Sequence, residues 1–256
     1  IYLERMNFNK IKKNYYIFLL IFFSLIVNQY FGNKGLNPAD SFAFFDTGYR
    51  VLNNQFPFRD YWVVSGPFVD YFQAILFFIF GVNWQSYVLH ASILNALLTI
   101  FTFIFLREFK LELINCFFYS LCFSILAYPS SGTPFVDHHS AFLSLITIYF
   151  LIFAIKTEKK KYWILIPFLI SFAFLSKQVP AFYFAVSVFI ILTFYFLDKK
   201  NLKWLFYIIL SSISVIFLFV FFILISKTEI LAFIQQYILY PATIGEGRYQ
   251  RYNITF

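Results

Sequence analysis

Charge is scarce in this chain. Only 12% of its 256 residues are charged while 61% are hydrophobic, proportions that exclude a water-soluble globular domain. Glycine and proline are scarce too, at eight each beside forty-one Phe and nineteen Tyr, which excludes disordered and collagen-like chains: so much apolar surface must be buried somewhere. There are just two cysteines, Cys116 and Cys122, in one apolar run without metal-ligand spacing or a disulfide framework, so both are expected to pack in the core. What remains is a chain whose solvent is a bilayer.

Apolar runs near the roughly 20 residues needed to cross ~30 Å of hydrocarbon cover Tyr15 to Phe31, Tyr87 to Leu106, Leu113 to Tyr128, Ala141 to Ile155, Tyr162 to Leu175, Val179 to Leu197 and Trp204 to Ile225. The first lies too far from a small-residue cleavage pattern to be a removed signal peptide. An eighth run, Val63 to Gly81, carries Gly66, Pro67, Asp70 and Gln73 near its start. The expected fold is all-α: a polytopic membrane protein of about seven transmembrane helices plus outer-face juxtamembrane helices, forming a single domain over residues 1–256.

The formal net charge of +8 is not spread evenly, which argues against nucleic acid as partner. If Val63 to Gly81 does not cross, Arg5, Lys10, Lys12 and Lys13 share a side with Arg107 and Lys110, with Lys156, Lys159, Lys160 and Lys161, and with Lys199, Lys200 and Lys203. Thirteen of the twenty basic residues are then cytoplasmic, as the positive-inside rule requires, and seven lie outside. Val63 to Gly81 is therefore read as an interfacial or re-entrant outer helix, inside a first outer loop that spans residues 32–86. Asp40, Asp46, Asp60, Asp70, Asp137, Glu229 and Glu246 become external, and His90 is the one ionisable group inside the helices. An ion-coupled carrier places acids at mid-membrane, so the site is expected at the outer membrane-water boundary.

Three stretches carry chemistry there. Asn37-Pro-Ala-Asp40 is a helix-start signal for a short helix running to about Asn53, with Asp40 either a simple N-cap or a general base whose pKa partial desolvation raises. Downstream, Asp60 is either an ion-pair partner of Arg59 or, like Asp40, a carboxylate at the membrane face able to act as general base. In Asp137-His138-His139, three adjacent titratable groups at a helix start can bind an anion, ligate a divalent metal together with Asp40, or cap the helix. Lys177 violates the positive-inside pattern; it either snorkels or holds a lipid phosphate as a point charge. Arg248 is a further outer cation.

Taken together, Asp40, Pro57-Phe58-Arg59-Asp60, Gly66-Pro67 and Phe80-Gly81 resemble the GT-C superfamily of polyprenyl-phosphate-sugar-dependent glycosyltransferases, in the branch with protein O-mannosyltransferases and lipid A aminoarabinose transferases. Asp137 falls where that family carries its second outer acidic site, and Ser176-Lys177-Gln178 resembles its turn after a later helix. Many members have an acidic pair at the first site, whereas here Ser41 follows Asp40. The resemblance implies sugar transfer from a polyprenyl phosphate to a lipid, glycan or protein hydroxyl at the outer face of a bacterial inner membrane, with the N-terminus cytoplasmic. Asp40 and Asp137 would be catalytic; Arg59, Asp60, His138, His139, Lys177 and Arg248 would bind donor phosphate or substrate; any divalent metal would fall to Asp40, Asp137 and His138. Family members are much longer, so the chain is expected to be a fragment lacking later helices. The competing class is a multi-pass transporter or lipid-linked oligosaccharide flippase, which needs a polar path through the membrane.

Overall fold

The computed structural model describes residues 2–34, 41–199 and 202–244, and every regular element among them is helical. In chain order these are α1 (Tyr2–Gly32), α2 (Ser41–Leu52), α3 (Phe68–Phe80), α4 (Trp84–Glu108), α5 (Leu113–Leu126), α6 (Val136–Thr157), α7 (Lys160–Phe174), α8 (Gln178–Lys199), α9 (Lys203–Ser226) and α10 (Ile230–Phe233), the last continuing into a π-helical turn, Ile234–Leu239. Among the described residues five helices are long and apolar enough to cross a membrane: α1 from Lys13, α4, α6, α8 and α9. The other two expected crossings are helices of only 14 and 15 residues, α5 and α7, about 21 and 23 Å long at 1.5 Å per residue. Tyr128-Pro129 and the Leu175-Ser176 turn end them early.

Some polar side chains inside this bundle pair helices. On α1, Ser24 bonds Thr99 of α4 at 3.3 Å, and the Asn28 amide donates to Ser92 at 3.0 Å and to the Gly132 carbonyl at 3.2 Å. Without water in the bilayer core each of these groups needs such a partner. Cys116 is buried as expected, in a cluster with Leu20 and Phe103, whereas Cys122 is exposed on the outward face of α5.

The two ends of the bundle differ in chemistry. At one end the start of α1 meets α5 through Tyr16 and Phe117, stacked at 4.8 Å; Lys156 at the end of α6 donates to the Glu108 carbonyl at 2.6 Å; and Tyr195 of α8 donates to Glu158 at 3.3 Å. The loops bearing Arg107, Lys110, Lys156, Lys159, Lys160, Lys161 and Lys203 thus share one end. The other end gathers α2, the 53–67 connection, α3, the 127–135 turn, the Lys177 turn and α10. α3, 13 residues and about 20 Å long, has both its ends here, its start bonded to the Ser176 turn and Trp84 just beyond it donating to the Gly32 carbonyl at 2.9 Å, so it does not run to the basic end, and it packs against α2 and α4.

Two motifs make the close contacts at this second end. The Gly66 amide donates to the Ser176 carbonyl at 3.0 Å and Phe68 to that of Leu175 at 3.0 Å. A Cβ on Gly66 would collide with the Leu175 carbonyl, so the Gly-Pro turn is the residue pair that lets α3 start against the end of α7. In Pro57-Phe58-Arg59-Asp60, Phe58 takes a left-handed φ of 68° and is 3% exposed. That conformation costs an aromatic residue on the order of 1 kcal/mol. It is held by Gln236, whose amide donates to the Phe58 carbonyl at 3.1 Å and accepts from the Val63 amide at 3.0 Å.

Candidate functional site

A cavity of about 560 Å³ opens at the end opposite the basic loops, bounded by α2, the 62–65 segment, the start of α3, Val136, the Lys177 turn and Pro241 to Ile244. That is the size of an ordinary small-molecule site. Each wall has a sequence origin. The inward face of α2 contributes Phe44 and Thr47, while Asp46 and Arg50 pair at 2.6 Å on its exposed side. The Gly66-Pro67 turn brings in Asp70, one turn into α3. The Leu175-Ser176 turn swings Lys177 and Gln178 round, and the Gln178 amide donates to the Val64 and Tyr237 carbonyls at 3.1 and 3.2 Å.

Asp70 is the most perturbed group in the cavity. It is 2% exposed; Thr47 donates to Oδ1 at 2.6 Å and Tyr61 to Oδ2 at 3.1 Å. Burial pushes its pKa up to about 7, the two hydroxyls opposing that rise. The Tyr61 hydroxyl is pushed upward in turn, by burial first and by the neighbouring carboxylate second.

Of the expected site residues, Asp137 and Lys177 are brought together: the ammonium lies 2.6 and 2.7 Å from the two carboxylate oxygens, with both side chains part-exposed. Lys177 is therefore a neutralised cation, and an incoming phosphate must share it with Asp137. His138 packs between Tyr128, Phe135 and Phe142, with ring centroids 5.2 to 5.8 Å away. Arg59 and Asp60 do not line this cavity. They pair at 2.7 Å, Arg59 also donates to the Ser226 carbonyl at 2.6 Å, and Asp60 accepts from the Phe56 amide at 2.7 Å. The Arg59 hydrogen bond, with that amide, holds the Asp60 carboxyl below the usual range. The pair thus clasps the outer loop to the end of α9. Asp40 and Arg248 lie outside the described residues, so the Asp40, Asp137 and His138 metal set has only two members placed. Among the described residues no group of three or more His, Cys, Asp or Glu stands close enough to hold a metal ion.

His139 is not at the surface. It is fully buried, with Nδ1 2.6 Å from the Tyr128 hydroxyl and Nε2 2.7 Å from Nε2 of His90, whose Nδ1 is 3.0 Å from Gln73 Oε1. His139 Nδ1 also stands 3.0 Å from the Phe135 carbonyl, so the protons can run either way: from Tyr128 to His139 Nδ1, from His139 Nε2 to His90 and from His90 Nδ1 to Gln73 Oε1, or, with the Gln73 amide turned over, from Gln73 to His90 Nδ1, from His90 Nε2 to His139 and from His139 Nδ1 to Phe135. His90, which in sequence has no visible partner, is thus a buried, hydrogen-bonded histidine joined to one of the expected surface ligands.

Sequence reasoning passed over Thr47, Tyr61 and Trp62 and named Asp70 as one of seven outer acids, with no role of its own. Asp70 carried a signal, being an acid inside an otherwise apolar helix directly after Gly-Pro. Thr47, Tyr61 and Trp62 look like any others in an aromatic, Thr-containing loop, and only the fold turns them toward Asp70 and the cavity.

A sequence profile described as dolichyl-phosphate-mannose-protein mannosyltransferase matches residues 64–226, well over half of the chain, taking in α3 through α9 with Asp70, Asp137 and Lys177. No curated protein and no solved structure gives a significant match. With its helical bundle, its apolar spans and this match, the chain is a multi-pass membrane glycosyltransferase that belongs to the dolichyl-phosphate-mannose-protein mannosyltransferase family, whose sugar donor is a polyprenyl-phosphate mannose.

Proposed function

We propose that the chain transfers mannose from a polyprenyl phosphate to an acceptor hydroxyl at the outer face of a bacterial inner membrane, with inversion at the anomeric carbon. The observation that carries this is the cavity at the end opposite the basic loops, where a buried carboxyl and the Lys177–Asp137 pair face one space. By the positive-inside rule the basic end is cytoplasmic, so the cavity opens outside. A second, almost wholly apolar crevice of about 250 Å³ runs between Pro67, Tyr71, Phe172 and Phe222 on α3, α7 and α9. Its apolar lining suits the isoprenoid tail of the donor.

Asp40 is the proposed general base. It stands one position before α2, and Ala43 on that helix lines the cavity; three residues of chain span at most about 11 Å. Asp40 removes the acceptor's proton as its oxygen attacks, and Lys177 stabilises the departing lipid phosphate while Asp137 holds that ammonium in place. Asp40→Asn is expected to lower transfer by about 10² to 10⁴-fold at matched expression, read as labelled mannose moved from polyprenyl-phosphate mannose in membranes. Wild-type transfer by that variant would remove Asp40 from the mechanism.

A further inference from the structure

Burying a carboxyl away from any cation is costly unless something repays it. Among the described residues Asp70 pairs with no Lys or Arg; its hydrogen-bond partners are the neutral hydroxyls of Thr47 and Tyr61, one on each oxygen. Were its task only to fasten α3 to α2 and the loop, an uncharged Asn or Ser would do so at lower cost. Each carboxylate oxygen accepts about two hydrogen bonds, so one position on each remains open, and Asp70 lines the cavity. Trp62 lines the same cavity; the residue is 58% exposed, and Tyr240 meets its ring edge-on at 5.3 Å.

A carboxylate with two open acceptor positions and an exposed aromatic ring lining one cavity suit a polyhydroxylated ring that has hydroxyls on its rim and C–H groups on its faces. A cation stands at another part of the same cavity, where a phosphate attached to that ring would come to lie. We propose that this part of the cavity is the hexose subsite of the donor, Asp70 accepting two sugar hydroxyls and Trp62 stacking on the apolar face of the ring. The assignment rests on the transferase reading above and adds the residues that recognise the sugar rather than the lipid phosphate.

The test compares two lipids on the full chain in bilayer discs: polyprenyl-phosphate mannose and bare polyprenyl phosphate. Asp70→Asn keeps the shape of the side chain and removes its charge; Trp62→Ala alters an exposed loop residue, and Trp62→Phe keeps a ring. Asp70→Asn and Trp62→Ala should each weaken binding of the mannosyl lipid about tenfold and leave the bare lipid within about twofold, with Trp62→Phe close to wild type. Equal losses for both lipids would overturn the assignment, since the residues would then serve the tail, the phosphate or the fold. If the wild type transfers mannose yet both variants bind the mannosyl lipid normally, the hexose subsite alone falls. If the wild type neither binds the mannosyl lipid nor transfers, the transferase reading falls and takes this assignment with it.

Discussion

Burial decides how Asp70 is charged, and the hydroxyls of Thr47 from α2 and Tyr61 from the outer loop oppose it. Tyr71 adjoins Asp70 on α3, Arg50 stacks over the Tyr61 ring at 5.8 Å, and Lys177 across the cavity is already occupied by Asp137. Burial outweighs the two hydroxyls and carries the Asp70 pKa to about 7. The sign follows directly: the folded state holds this proton over a range where the unfolded chain, with an ordinary carboxylate near 4, has lost it. Stability is therefore lost as pH rises from about 4 to about 7 and levels off above that, by up to on the order of 4 kcal/mol. Thermal melts of the wild type and of Asp70→Asn should differ most at pH 8, with the amide variant the more stable, and converge near pH 4. Parallel curves at all pH values would show that Asp70 does not titrate in this window.

At the scale of elements, the polar chain Gln73–His90–His139–Tyr128 ties together α3, α4, α6 and the turn before α6. It lies directly behind the cavity: Gln73 is one turn after Asp70, and His139 is two residues after Asp137. Such a network is favourable only while every joint is made, because each orphaned group costs roughly 1 to 3 kcal/mol. His139→Phe, which keeps a ring and removes both joints, should destabilise the protein by about 3 kcal/mol; His139→Gln, which can still reach His90, should cost less than half of that. Thermal melts of the two variants check this, and equal melting temperatures would show that the chain of bonds contributes nothing. The residues were visible in sequence, but a histidine in an apolar run does not announce which other helix faces it. The short helix α2 was legible to within a residue of its end because Asn53, Asn54 and Pro57 break it by local chemistry.

Across the whole molecule, the basic loops collect at one end and the cavity at the other, and the proposed orientation, with the basic end cytoplasmic, rests on that charge asymmetry. In a chain with both cysteines replaced by alanine, Asn54→Cys should react with a membrane-impermeant thiol reagent added to intact spheroplasts, and Lys159→Cys should react only after lysis; the reverse pattern would invert the topology. Composition and spacing by themselves determined that this chain lives in a bilayer, where its helices lie, and that Val63 to Gly81 does not run as a full crossing helix, and they led to the expectation of a site at the end away from the basic loops. Those are properties of hydrophobic length and charge, which accumulate along the chain and need no partner. Only the tertiary structure decided that Arg59 and Asp60 clasp the loop to α9, that His139 turns inward to His90, that Lys177 is met by Asp137, and that Asp70 is the carboxyl facing the cavity. Each depends on which helix face meets which, over separations of 40 or more residues for Lys177 with Asp137 and for His139 with His90. Packing sets those pairings, and local sequence does not encode them.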